Sequence, residues 1–178
     1  MYKTLDDALK DITHVNRRKR EAVVKYLSEV KDDRRADTLI GMLNDADESV
    51  RESVASALAV LKDEKAIQPL IDCFIDPARR PQPDIDGNVS TRIATCIKQF
   101  GPKSTPYLLP YLNDPVGAWQ KNILWLLGEV SDPETVQPLI DAHNASESGD
   151  VRYSVKEALK KINTGPAQAF IRGLKKRW

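Results

Sequence analysis

The sequence predicts an all-α chain, a right-handed α-α superhelix of about five helix pairs closed by a short C-terminal capping helix. Two observations predict it. Apolar residues recur three or four apart in short blocks, the spacing of one buried helix face. The blocks themselves recur about every thirty residues, the mark of a stacked helical repeat. The clearest copy runs from Asp45 to Ile71, where Val50, Val54, Leu58 and Leu61 form the spine and Leu70 follows nine residues later. The same frame fits Lys19, Val23, Leu27, Val30 and Leu39, then Val89, Ile93, Ile97, Phe100 and Leu109. It fits again at Trp119, Ile123, Leu127, Val130 and Leu139, and at Val151, Val155, Leu159 and Ile162. The starting positions 19, 50, 89, 119 and 151 are 31, 39, 30 and 32 residues apart. All 178 residues are then one domain, with repeats at about 2–33, 34–63, 64–101, 102–132 and 133–164 and a cap over 165–178.

In chain order, Leu5, Ala8, Leu9 and Ile12 form one stripe, a short opening helix that caps the array. The next helix, about Asn16 to Lys31, begins with Arg17, Arg18, Lys19 and Arg20. Cations at a helix start oppose the macrodipole, so this run is either a solvated edge or a contact for an anion or acidic partner. In the second repeat Asp45 or Asp47 caps the second helix, and Asp114 and Asp132, each followed by proline, repeat the device. The third repeat carries an insertion over 78–87 whose prolines forbid helix. It reads equally as a tolerated bulge or a functional loop, and it contains Arg79 and Arg80. The fourth repeat is the most aromatic, with Tyr107, Tyr111, Trp119 and Trp125, and Trp119 falls on the spine. The fifth stops at Gly165 and Pro166, after which Phe170, Ile171 and Leu174 cover the last pair.

Each helix spans only about ten to fifteen residues and is marginal alone. A helix pair cannot cover both of its apolar faces, so pairs must stack.

Composition bounds the function. Lysine and arginine number 27 against 26 acidic residues, a formal net charge of +1, which argues against a dedicated polyanion binder. The two cysteines, Cys73 and Cys96, fall on apolar helix positions, as expected of packed thiols in a reducing compartment. No apolar run approaches the roughly 18 residues of a membrane span. The expectation is a soluble, cytoplasmic protein that does not engage a membrane.

The residues Asp47 to Arg51 (Asp-x-x-Val-Arg), Ala57 and Leu58, Asp63, and Gln68-Pro69-Leu70-Ile71 resemble the HEAT-like repeat first associated with phycobilisome lyases. The resemblance covers essentially the whole chain. It implies that the arginine after the valine, here Arg20, Arg51 and Arg152, pairs with an acidic side chain of the adjacent unit as a structural ladder. Ser90 and Gln120 depart from it. The resemblance is informative about fold and nearly silent about function.

Chemistry is sparse. With two histidines, His14 and His143, no Cys-x-x-Cys and no glycine-rich phosphate loop, the sequence offers no catalytic residue, metal-ligand set or cofactor motif. The paired His-Glu dipeptides of metal hydroxylases built on such repeats are missing. Both histidines are expected at the surface.

If the second helix of each pair lines a shared concave wall, the positions outside the spine project from it. These include Glu52 and Ser56, then Arg92 and Thr95, then Lys121, Asn122, Trp125 and Glu129, then Tyr153 and Glu157. Trp125 is not needed by the spine and is expected beside Arg92 and Tyr153. Exposed Trp, Tyr and Arg dominate binding energy when a partner buries them. The alternative is that Trp125 folds back as surface packing. The leading expectation is a non-enzymatic interaction or scaffold module that grips a peptide or helix of another protein. Resemblance alone implies a second reading, a bilin lyase or phycobiliprotein chaperone subunit. A third is nucleic-acid binding through Arg17, Arg18, Arg20, Arg79, Arg80 and the basic tail, cations that are scattered over three regions.

Overall fold

The computed structural model describes residues 2–75, 88–113 and 120–175, and every element within them is helical. The insertion over 78–87 with Arg79 and Arg80, the Asp114 cap and Trp119 lie outside the described residues. The chain divides into two compact units, Met1–Phe100 and Gly101–Trp178, each with its own buried apolar residues.

The first unit holds α1 (Leu5–Leu9), α2 (Arg17–Glu29), α3 (Arg35–Met42), α4 (Glu48–Leu61), α5 (Ile67–Ile75) and α6 (Asn88–Lys98). The second helices α2, α4 and α6 pack side by side, with α3 and α5 behind them. Their apolar spines make that packing: Val23, Leu27, Val50, Val54, Leu58, Ile93 and Ile97 are all buried. Full burial of one such side chain contributes about 1.5–3 kcal/mol. Lys19, the proposed first spine position, is instead exposed and pairs with Asp11 at 3.4 Å. At the N-terminal end Thr4 caps α1 by accepting from the Asp7 amide. The Tyr2 hydroxyl donates to Asp11 at 2.8 Å, and burial together with that carboxylate pushes its pKa up to about 12.

The second unit holds α7 (Thr105–Leu108), α8 (Gln120–Val130), α9 (Val136–Ala145), α10 (Gly149–Ile162) and α11 (Gly165–Lys175). Here the first helix of the pair departs from expectation. It is a composite of a 3-10 turn at Gly101–Ser104, the single α turn of α7, and a second 3-10 stretch at Leu109–Asn113. Pro106 and Pro110 stand four apart, so the amide that would bond back to Pro106 is missing and the helix tightens instead. Leu108 and Leu112 are buried while Leu109, the expected spine residue, is only partly covered.

The second correction concerns His143, expected at the surface. It is 8% exposed, stacks edge-on against Phe170 of α11 with ring centroids 5.1 Å apart, and leaves Nδ1 without a hydrogen-bond partner. Burial is the main cause that holds its pKa below the ordinary histidine value.

Corners and starts of the repeats follow one local chemistry. Lys62 after α4, Ser131 after α8 and Asn163 after α10 take left-handed backbone angles. Asp63 and Asp132 follow two of them and cap the next 3-10 turn through the amides of Lys65 and Glu134. Asp132 is itself buried and accepts from the Thr105 hydroxyl at 2.7 Å. Asp47 caps α4 through the Ser49 amide, and Asn16 caps α2 through that of Arg18.

The arginine ladder takes a form of its own. Arg20 donates to the carbonyls of His14 and Val15, Arg51 to those of Asp45 and Ala46, and Arg152 to that of Ser146. Each arginine thus ties down the loop that enters its own helix. Arg20 adds a forked pair to Asp45 of the following repeat at 2.6 and 2.9 Å. Gln120, which departs from the pattern, donates to the Leu112 carbonyl at 2.7 Å and so serves the same kind of acceptor.

Candidate functional site

In the second unit the buried stripe of α8, Ile123, Leu124, Leu126 and Leu127, leaves 121, 125 and 129 on the opposite side of the helix. The stripe Val151, Val155, Ala158 and Leu159 does the same for α10 and leaves Tyr153, Glu157 and Lys161 outward. The two helices meet closely at Gly128, where an added Cβ would lie 2.9 Å from the Ala158 Cα. That close approach sets the two outward rows side by side.

Between them lies a pocket of about 200 Å³ lined by Lys121, Trp125, Tyr153, Ser154, Glu157, Ala158 and Lys161. Trp125 is 40% exposed and Tyr153 62% exposed. The Lys161 ammonium stands 5.7 Å from the centre of the Trp125 ring and pairs with the Glu129 carboxylate. Of the lining residues, Lys121 pairs with Asp150 and Glu157 with Lys160. The hydrogen bond from Lys121 is the leading cause that holds Asp150 below the usual carboxylate range, and Glu157 raises Lys160. Asn122 sits half-buried at the same level of α8.

The remaining sequence candidates belong to the first unit. Arg92 on α6 is paired with Glu52 on α4 at 2.7 Å. Ser56, one turn further along α4, donates to the Glu52 carbonyl, and Thr95 is exposed on α6. Arg17, a candidate anion contact, is engaged with Glu21 at 3.4 Å and Asp47 at 3.7 Å, while Arg18 is exposed.

Three residues that line the pocket, Ser154, Ala158 and Lys161, are not among the sequence candidates, and of these only Lys161 is charged. Its signal was available, because opposite charges recur about one repeat apart: Glu129 with Lys161, Lys121 with Asp150, Arg17 with Asp47. Such pairs lace neighbouring second helices together and compensate much of the charge on this face. Among the described residues no cluster of three His, Cys, Asp or Glu side chains is placed to hold a metal ion, and no helix is long and apolar enough to cross a membrane. Cys73 and Cys96 are buried free thiols, and burial raises the Cys96 pKa.

Residues 5–81, under half of the chain, match the family model described as HEAT repeats. The match is to HEAT repeats over that segment and does not reach the narrower phycobilisome-lyase group. Among solved structures the chain is similar to an engineered protein, a structural-genomics target known from its crystal structure. The identity is 17%, over 98% of this chain and 87% of that one, with a TM-score of 0.49. No curated protein matches.

Proposed function

We propose that the protein is a non-enzymatic interaction module whose α8–α10 face takes up a peptide or helix of a partner protein, with Trp125 as the anchor. The observation that carries this reading is the exposure of two large aromatic side chains, Trp125 and Tyr153, around one pocket on rigid helices. Aromatic side chains held on a scaffold supply contact area at little conformational cost and are enriched at binding hot spots. HEAT repeats generally mediate protein–protein contact, in keeping with the match over 5–81.

The test compares wild type with Trp125→Ala in capture from the native host, followed by measurement of affinity for the captured protein. Trp125 is not among the buried side chains, so helical content and melting should stay close to wild type. Affinity should fall at least about tenfold, or about 1.4 kcal/mol. Unchanged affinity would remove this face from the interaction. Capture of nucleic acid that fades steeply with rising salt would point to phosphate binding instead.

A further inference from the structure

One side of α10 carries charge that is not balanced as it is between α8 and α10. Arg152, Lys156 and Lys160 stand four residues apart and so share one side of the helix, where like charges weaken it. Lys160 is tied to Glu157. Arg152 gives one donor to the Ser146 carbonyl, and among the described residues neither it nor Lys156 pairs with a carboxylate. Two positive charges are left over.

They border a pocket of about 370 Å³ among α9, α10 and α11, within the 300–1,000 Å³ of common ligand sites. Ile171 and Leu174 supply its apolar wall. Gly149, the first residue of α10, lines it too, so the positive end of the helix dipole adds to the side chains. Asp150, in the same turn, is held by Lys121. The buried His143 lines the same pocket, and its Nδ1 has no hydrogen-bond partner, so an unmet polar group accompanies the unmet charge. Burial lowers the His143 pKa, and the charges of Lys156 and Arg152 lower it further while Asn144 works against them. Both cations therefore act on the ring.

A carboxylate would cancel only one of the two spare charges. A phosphate monoester carries about −1.5 to −2 near neutral pH and presents three acceptor oxygens, which matches both. Tyr153 and Glu157 line this pocket and the Trp125 pocket alike, so one bound segment can span the two. Resting on the function proposed above, we propose that the pocket among α9, α10 and α11 receives a phosphorylated side chain of the partner segment, with Arg152 and Lys156 as its counter-charges.

The experiment follows the ring C–H signals of the two histidines by NMR, told apart with His14→Gln. The probes are capped glycine-phosphoserine-glycine, capped glycine-glutamate-glycine and inorganic phosphate. The phosphopeptide should shift the His143 signal of the wild-type protein, and the glutamate peptide should bind at least about fivefold more weakly. Lys156→Gln should weaken phosphopeptide binding about fivefold, the loss of one partly screened ion pair, and Lys156→Arg should restore it. Lys25→Gln, which removes the same charge from the exposed side of α2, should leave it unchanged. Equal binding of the glutamate peptide, an equal loss in Lys25→Gln, or a His143 signal that no probe moves overturns the proposal. Inorganic phosphate that binds as tightly as the phosphopeptide also overturns it, since the site would then serve the free ion. None of these outcomes touches the Trp125→Ala capture, on which the interaction reading stands or falls by itself.

Discussion

Gly128→Ala sets two effects of known sign against each other. In a helix interior the change from glycine to alanine by itself stabilises by about 1 kcal/mol, because glycine loses more backbone freedom on folding. At this position the new methyl would meet the Ala158 Cα at 2.9 Å, the Ala158 Cβ at 3.2 Å and the Lys161 Cδ at 3.4 Å. Forcing extra volume into a packed contact costs about 1–3 kcal/mol. The tightest neighbour is main chain, which cannot rotate away as a side chain can, so the upper end of that range applies. A net loss of about 2 kcal/mol follows, a fall in Tm of at least about 4 °C for a chain of this length. The companion variant Gly173→Ala, in α11, has nothing within 4 Å of its new methyl and should hold or raise the Tm. Melting followed by circular dichroism or calorimetry reads both. A Gly128→Ala protein that melts at or above wild type would refute the close approach of α8 and α10, and with it the juxtaposition of Trp125 and Lys161.

Two further outcomes depend on pH. Burial works to raise the Asp45 pKa, but the Arg20 guanidinium and the Asp47 amide outweigh it and hold it below the ordinary value. The pair therefore contributes stability present above about pH 3.9, the unfolded value, and lost as pH falls through the depressed folded one. Arg20→Ala should lower the Tm at neutral pH and flatten the decline in Tm on the acid side; an unchanged profile would show that Asp45 does not depend on Arg20. For His143 the folded pKa also lies below the unfolded one, so the unfolded chain takes up more protons between them. Stability should be complete above about pH 6.5 and decline below it. His143→Leu should flatten that decline in Tm between neutral and mildly acidic buffer, and a slope equal to wild type would place the titration elsewhere.

The helix pairs were legible because Val, Leu and Ile recur at helical spacing in blocks that themselves recur. Helix pairs stacked on one another bury such short stripes. The outward row was legible by the same count: Trp125 and Tyr153 fall between spine positions and are exposed. His143 is expected at the surface because it stands near the end of its helix, but it lies four residues after buried Leu139, on the same face, and is covered there by Phe170. Pro106 and Pro110 announced the broken helix before α8, but the repeat frame was carried straight through them. Most acceptors of the arginine ladder had no side-chain signature, since they are main-chain carbonyls; Asp45, the acidic partner of Arg20 in the next repeat, is the exception.

That last point bears on how these segments can evolve. A guanidinium rooted in a helix grips the preceding bend by its peptide oxygens, and any amino acid provides those. The hold of the guanidinium on the bends ahead of α2, α4 and α10 therefore does not depend on which side chains they carry, as the unlike residues His14, Val15, Asp45, Ala46 and Ser146 show. Such a bend can take on new surface chemistry wherever its side chains have no tie of their own, as Asp45 has to Arg20, provided the donor in the helix stays in place.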